Sequence, residues 1–285
     1  MQSNLGYALS LSAAASLATV LGSVLAMVAK KPGPKLMAFA LGFSAGVMMF
    51  VSFAEMLASS IHDVGFLLAV ICFFGGTVLM FAIDLAVPHL FVSEQADKWV
   101  KDGAAACFDA PAGQDSGRGH GRRRRHQHGL PGASRHSLMR AGLLIALGIG
   151  IHNLPEGMAT FAGAIKDRGL GLAIASAIAL HNIPEGLAVS LPVFCATGSK
   201  RRAIWLASLS GGAELLGALL AAAVLMPFLT PTVLALTLAA VAGLMVFISF
   251  DELIPGSYAY GFDHLSVIGI TSGMALMALS IWLLR

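Results

Sequence analysis

Charge is scarce in this sequence. Asp, Glu, Lys and Arg make up 12% of its 285 residues, against roughly 25% in a soluble domain. That shortage excludes an ordinary water-soluble fold, and no nucleic-acid partner is expected. Cysteine is scarce too: Cys72, Cys107 and Cys195 form no CxxC pair, and no disulfide framework is implied. The net charge of +3 says little by itself, because its placement along the chain matters more. What fills the chain instead is apolar. Hydrophobic residues reach 57% and the mean hydropathy is +0.80. These values identify an integral membrane protein built from helices of about 20 residues, since lipid offers backbone polar groups no partner.

Eight spans are expected, at about 5–29, 36–59, 64–92, 138–165, 169–196, 203–229, 231–254 and 264–284. The first is long and lacks a basic start, which favours a retained helix over a cleaved signal peptide. With the N-terminus outside, every Lys and Arg except Lys166, Arg168 and Arg285 falls in an inside loop. The positive-inside rule then places both termini outside. The chain divides into spans one to three (1–92), a polar cytoplasmic loop (93–137), spans four and five (138–197) and spans six to eight (198–285). The loop carries GRGHGRRRRHQHG, with His120, His126 and His128, and then His136. It reads as a solvated linker with topogenic arginines, or as a weak metal-capturing tract against which those arginines argue.

Two nearly identical segments stand out: His152-Asn153-Leu154-Pro155-Glu156-Gly157 and His181-Asn182-Ile183-Pro184-Glu185-Gly186. A His and a Glu four positions apart share one helix face, and both ligate transition metals. At about 1.5 Å per residue, both histidines lie roughly 20 Å from the turn joining spans four and five. They therefore meet near the middle of the membrane on antiparallel helices, where a buried ionisable group marks function. Pro155 and Pro184 each remove a helical hydrogen bond, so both helices are expected to kink. His152, Glu156, His181 and Glu185 supply two nitrogens and two carboxylates, enough for a tetrahedral site. Asn153, Asn182 and Glu214 offer oxygens for a second ion that shares Glu156 and Glu185. This donor set suits Zn²⁺, and also Fe²⁺, Mn²⁺ and Co²⁺. Pathway candidates are Glu55 at the outer end of span two, Asp84 in span three, and Asp251 and Glu252 near the inner mouth. Met48 lies mid-span and is by default a packing residue.

The two HNxPEG motifs, the eight spans, the histidine-bearing loop and ATGSKRRAIWLASLSGGAELLG around Glu214 resemble the ZIP family of divalent-metal transporters, in its bacterial ZupT type. The resemblance covers the chain apart from the loop. It implies uptake of zinc and related cations into the cytoplasm. It implies a 3+2+3 arrangement, in which spans one to three relate to six to eight by inversion around the central pair. It implies a first metal site of His152, Glu156, His181 and Glu185, with Met48 lining it by position. It also implies a second site of Asn153, Asn182 and Glu214, bridged by Glu156 and Glu185. It implies that access alternates by relative movement of these parts. Besides the bilayer and the metal, a second copy of the chain is a candidate partner, because the family includes homodimers. Two other functions share the ligands: an intramembrane metalloenzyme and a metal-gated channel. HExxH is absent, which weighs against the enzyme.

Overall fold

The computed structural model describes residues 2–28, 33–86, 135–225, 228 and 230–284. Among them the chain is helical, with eight long helical segments and no strand. We label them α1 (Gln2–Val28), α2 (Pro34–Val64), α3 (Phe66–Ala86), α4 (Arg135–Lys166), α5 (Arg168–Thr197), α6 (Lys200–Leu225), α7 (Pro231–Tyr258) and α8 (Asp263–Leu284). The helices follow the expected spans, although α4 begins at Arg135, three residues before the expected start. His136 therefore lies in its first turn, while His120, His126 and His128 lie outside the described residues. Seven of the eight are long and apolar enough to cross a membrane. The other is α4, whose middle holds His152, Asn153, Pro155 and Glu156.

Local chemistry sets the ends of these helices. Pro34 and Pro231 occupy first-turn positions, where a missing N–H costs nothing. The Thr230 side chain accepts from Val233 N at 3.1 Å. Gly65, at φ 81°, separates α2 from α3 in a conformation that disfavours a side chain. Only Asp167 stands between α4 and α5, so the two must run antiparallel side by side. Its carboxylate caps α5 by accepting from Leu170 N at 2.8 Å.

Packing divides the helices into two groups. α1, α4, α5 and α6 pack on one another, while α2 packs on α8 and α3 on α7. The groups meet where α2 lies on α5 and α7 lies on α4. Glycines make the crossings close. A Cβ at Gly22 of α1 would strike the carbonyl of Ile183, and one at Gly217 of α6 would strike that of Leu154. Gly46 of α2 sits against the Ile270 carbonyl of α8, and Gly243 of α7 against that of Phe73 in α3. Gly273 approaches Phe43, and Gly76 approaches Ala240. Each of these glycine contacts made by one of α1–α3 thus has a counterpart made by one of α6–α8 in the same order.

Two helices are interrupted by a π turn. In α2 it covers Ser52–Leu57, with the sequence SFAEML; in α7 it covers Ser249–Leu253, with the sequence SFDEL. Such turns often sit at functional sites. Among the cysteines, Cys72 is a free thiol. Cys195 is disulfide-bonded, which leaves the absence of a disulfide framework, as expected from the spacing, untouched. A single bridge needs no framework spacing.

Candidate metal centre

The one-residue turn between α4 and α5 brings the two repeated motifs to the same depth. Gly157 then lets α4 lie against the Glu214 carbonyl of α6, and Gly186 lets α5 lie against the Thr19 carbonyl of α1. The polar residues between these crossings are sealed from solvent. His152, Asn153, Glu156, His181, Asn182, Glu185 and Glu214 all have 0% exposure. Helical structure continues through Pro155 and Pro184. Near the second proline, Ser44 of α2 donates its hydroxyl to the His181 carbonyl at 3.3 Å.

Four of these side chains form crossed pairs. His181 Nε2 lies 3.1 Å from Glu156 Oε1, and His152 Nε2 lies 3.5 Å from Glu185 Oε1. Each helix therefore offers its histidine to the other helix's carboxylate. Ligand atoms of Glu156, His181 and Glu185 lie within 4.8 Å of one another, and His152 joins them through Glu185. Glu156 Oε2 and both oxygens of Glu185 have no hydrogen-bond partner. Buried polar atoms are costly to leave unpaired. Converging carboxylate and imidazole atoms of this kind fit a transition-metal cation.

A second set lies one residue along each motif. Asn153 donates its Nδ2 to the Ser210 carbonyl at 3.0 Å. Asn182 donates to the Ala15 carbonyl at 3.1 Å and to Glu214 Oε2 at 2.9 Å. These bonds tie both amides to α1 and α6. The Asn153 and Asn182 Oδ1 atoms and Glu214 Oε1 are left buried without partners. So are the hydroxyls of Thr19 and Ser210, neither of which the sequence reading picked out. Thr19 precedes Gly22 by as many residues as Glu214 precedes Gly217. That matched spacing was the available signal.

The remaining candidates are spread around this centre. Met48 is fully buried on α2, one turn beyond Ser44 and on the same face. Glu55 is only 7% exposed and helps line a cavity of about 590 Å³ beside the α4–α5 turn, together with His62, Asp63, Lys166 and Asp167. Lys166 Nζ pairs there with the Asp63 carboxylate. Asp84 and Asp251 are half-buried and lie within electrostatic reach of Glu252. Glu252 departs from its expected place near the inner mouth. It is 6% exposed, and its Oε2 lies 3.7 Å from His152 Nδ1, because α7 packs directly on α4.

The sequence matches the family described as "ZIP Zinc transporter" over residues 92–281. It is 43% identical over 278 residues to the "Zinc transporter ZupT" of Campylobacter jejuni, covering 95% of this chain and 94% of that one. The protein of the same name from Nitratidesulfovibrio vulgaris is 45% identical over 280 residues, covering 94% of each chain. That from Lysinibacillus sphaericus is 42% identical over 292 residues, covering both chains fully.

Proposed function

We propose, from the premise that this chain belongs to the ZIP zinc transporter family and so is a multi-pass membrane protein taking up divalent metal, that its cargo binds between α4 and α5. Zn²⁺ is the substrate, and His152, Glu156, His181 and Glu185 hold it. The single observation that carries this reading is the buried, crossed pairing of the two motif histidines with the two motif glutamates. Asn153, Asn182 and Glu214 supply a second, oxygen-rich position that shares Glu156 and Glu185, and Met48 lines the first. Fe²⁺, Mn²⁺ and Co²⁺ are further cargo, since the same donors accept them.

The matched glycine contacts support a 3+2+3 arrangement, in which α1–α3 and α6–α8 are inverted repeats around α4 and α5. Both termini face the periplasm and the loop lies in the cytoplasm, as the placement of Lys and Arg suggests. The protein sits in the inner membrane, with a second copy of the chain as a candidate partner. The cavity beside the α4–α5 turn is then the outer access path. Glu55 and Asp63 attract cations there, and Asp84, Asp251 and Glu252 lie along the way inward. α2 and α7 are the helices against which the α4–α5 pair shifts when access alternates. No residue is required to act as a catalyst.

Purified protein in proteoliposomes tests this reading. Saturable uptake of radiolabelled Zn²⁺ is expected, reduced by Fe²⁺, Mn²⁺ and Co²⁺ and unaffected by Mg²⁺, which prefers oxygen ligands alone. Non-saturating flux at channel rates, or no zinc flux, would overturn it.

A further inference from the structure

The two π turns are counterparts. SFAEML in α2 and SFDEL in α7 each place a glutamate fourth, Glu55 and Glu252. Both glutamates are nearly buried, and Ser52 and Ser249 are fully so. Each turn belongs to a helix packed on one half of the centre: α7 on α4, which carries His152, and α2 on α5, which carries His181. Yet the two glutamates are used differently. Glu252 Oε2 faces His152 Nδ1 at 3.7 Å, within ion-pair reach but beyond a hydrogen bond, whereas Glu55 lines the cavity beside the α4–α5 turn; neither His152 Nδ1 nor His181 Nδ1 has a hydrogen-bond partner.

The orientation of the imidazoles gives this difference a meaning. Both histidines turn Nε2 toward the glutamates of the centre, so Nε2 is the atom offered to the ion. The proton then resides on Nδ1, on the far side of each ring. A metal-binding imidazole normally donates that N–H to a carboxylate, carbonyl or water, which fixes its tautomer and ring plane. Glu252 stands in that position behind His152. The acceptor of matching sequence for His181 is Glu55. Inverted repeats rock against one another about the site when access changes sides, and we take the two halves to trade their contacts in that motion. The contact that one half makes here is therefore the contact its counterpart makes in the opposite state.

The geometry points to Glu252 and Glu55 as alternating positioning residues: Glu252 orients His152 in the conformation seen here, and Glu55 orients His181 in the opposite-facing one. This rests on the α4–α5 centre being the transport site. The relay keeps one histidine held at every stage. Release of the other weakens the grip on the ion as the site turns from one side of the membrane to the other.

The full-length protein is tested by equilibrium ⁶⁵Zn²⁺ binding in detergent and by ⁶⁵Zn²⁺ uptake in proteoliposomes, with monodispersity as the folding control. Glu252→Ala is expected to weaken zinc binding by about 10- to 100-fold, the usual loss for an outer partner of a metal-binding histidine. Glu252→Gln, which keeps an acceptor oxygen, restores most of that loss. Glu55→Ala is expected to leave equilibrium binding within about twofold and to cut the maximal uptake rate about tenfold, while any rise in KM reports its separate part in attracting cations. Unchanged binding in Glu252→Ala, no recovery in Glu252→Gln, or equal effects of Glu55→Ala and Glu252→Ala on binding would each overturn the inference. Glu185→Gln separates the two levels. Zinc loss in that variant with full binding in Glu252→Ala sinks only the positioning roles, whereas full binding in both sinks the site as well.

Discussion

Replacing Glu185 by Gln removes a charge from the centre and almost nothing else. The side chain is fully buried, and both its oxygens lack hydrogen-bond partners. It lies 3.5 Å from His152 Nε2 and belongs to the group of ligand atoms within 4.8 Å of one another. Gln has nearly the same volume, so the close crossing of Gly186 with α1 is retained and the fold should persist. Removing one member of a buried charge pair costs about 3–5 kcal/mol. If the ion contributes the opposite charge in the loaded state, zinc binding should weaken roughly 100- to 4,000-fold at about 1.4 kcal/mol per factor of ten. Isothermal titration of the purified variant reads this directly, with thermal unfolding in the same detergent as a control. Zinc affinity within about threefold of the parent, less than 1 kcal/mol, would refute the assignment of Glu185 as a ligand.

Two other perturbations test neighbouring parts of the structure. Gly157→Ala places a methyl group against the Glu214 carbonyl, so α4 and α6 must part. Overpacking of this kind costs about 1–3 kcal/mol, seen as a lower unfolding temperature together with reduced uptake. Gly212→Ala meets nothing within 4 Å and should change neither. Acidification should weaken zinc binding, because each ligand must shed its proton before it binds metal. Lowering the pH is expected to show falling affinity, with proton release on binding. A flat profile would mean that imidazole is not a ligand.

Much of this organisation is legible in the sequence because it depends on short-range rules. A long apolar run must become a helix in lipid, and a repeated HNxPEG places a His and a Glu on one face of each of two helices. The single residue between α4 and α5 follows from Lys166-Asp167-Arg168 and makes those faces meet. Which glutamate approaches which histidine is not local. The i, i+4 spacing suggests pairing within a helix, whereas helix packing sets the crossed pairs His152–Glu185 and His181–Glu156. Glu252 shows the same limit. Counting along α7 puts it toward one end of a span, but the lean of α7 on α4 carries its carboxylate to His152. The kinship of SFAEML and SFDEL is visible as text, yet it acquires significance only once both segments form π turns on helices that flank the centre. Thr19 and Ser210 are ordinary hydroxyls in sequence. Apart from the spacing of Thr19 before Gly22, only their burial without partners marks them.

X-ray absorption at the zinc edge of the loaded protein tests the central assignment most directly. A shell of nitrogen and oxygen donors at about 2.0–2.1 Å, with multiple-scattering signatures of two imidazoles, is expected. One of those imidazoles should disappear in His152→Ala and one in His181→Ala. A shell of water oxygens alone, sulfur donors at about 2.3 Å from cysteine, or two imidazoles that survive both substitutions would contradict a zinc site shared between α4 and α5.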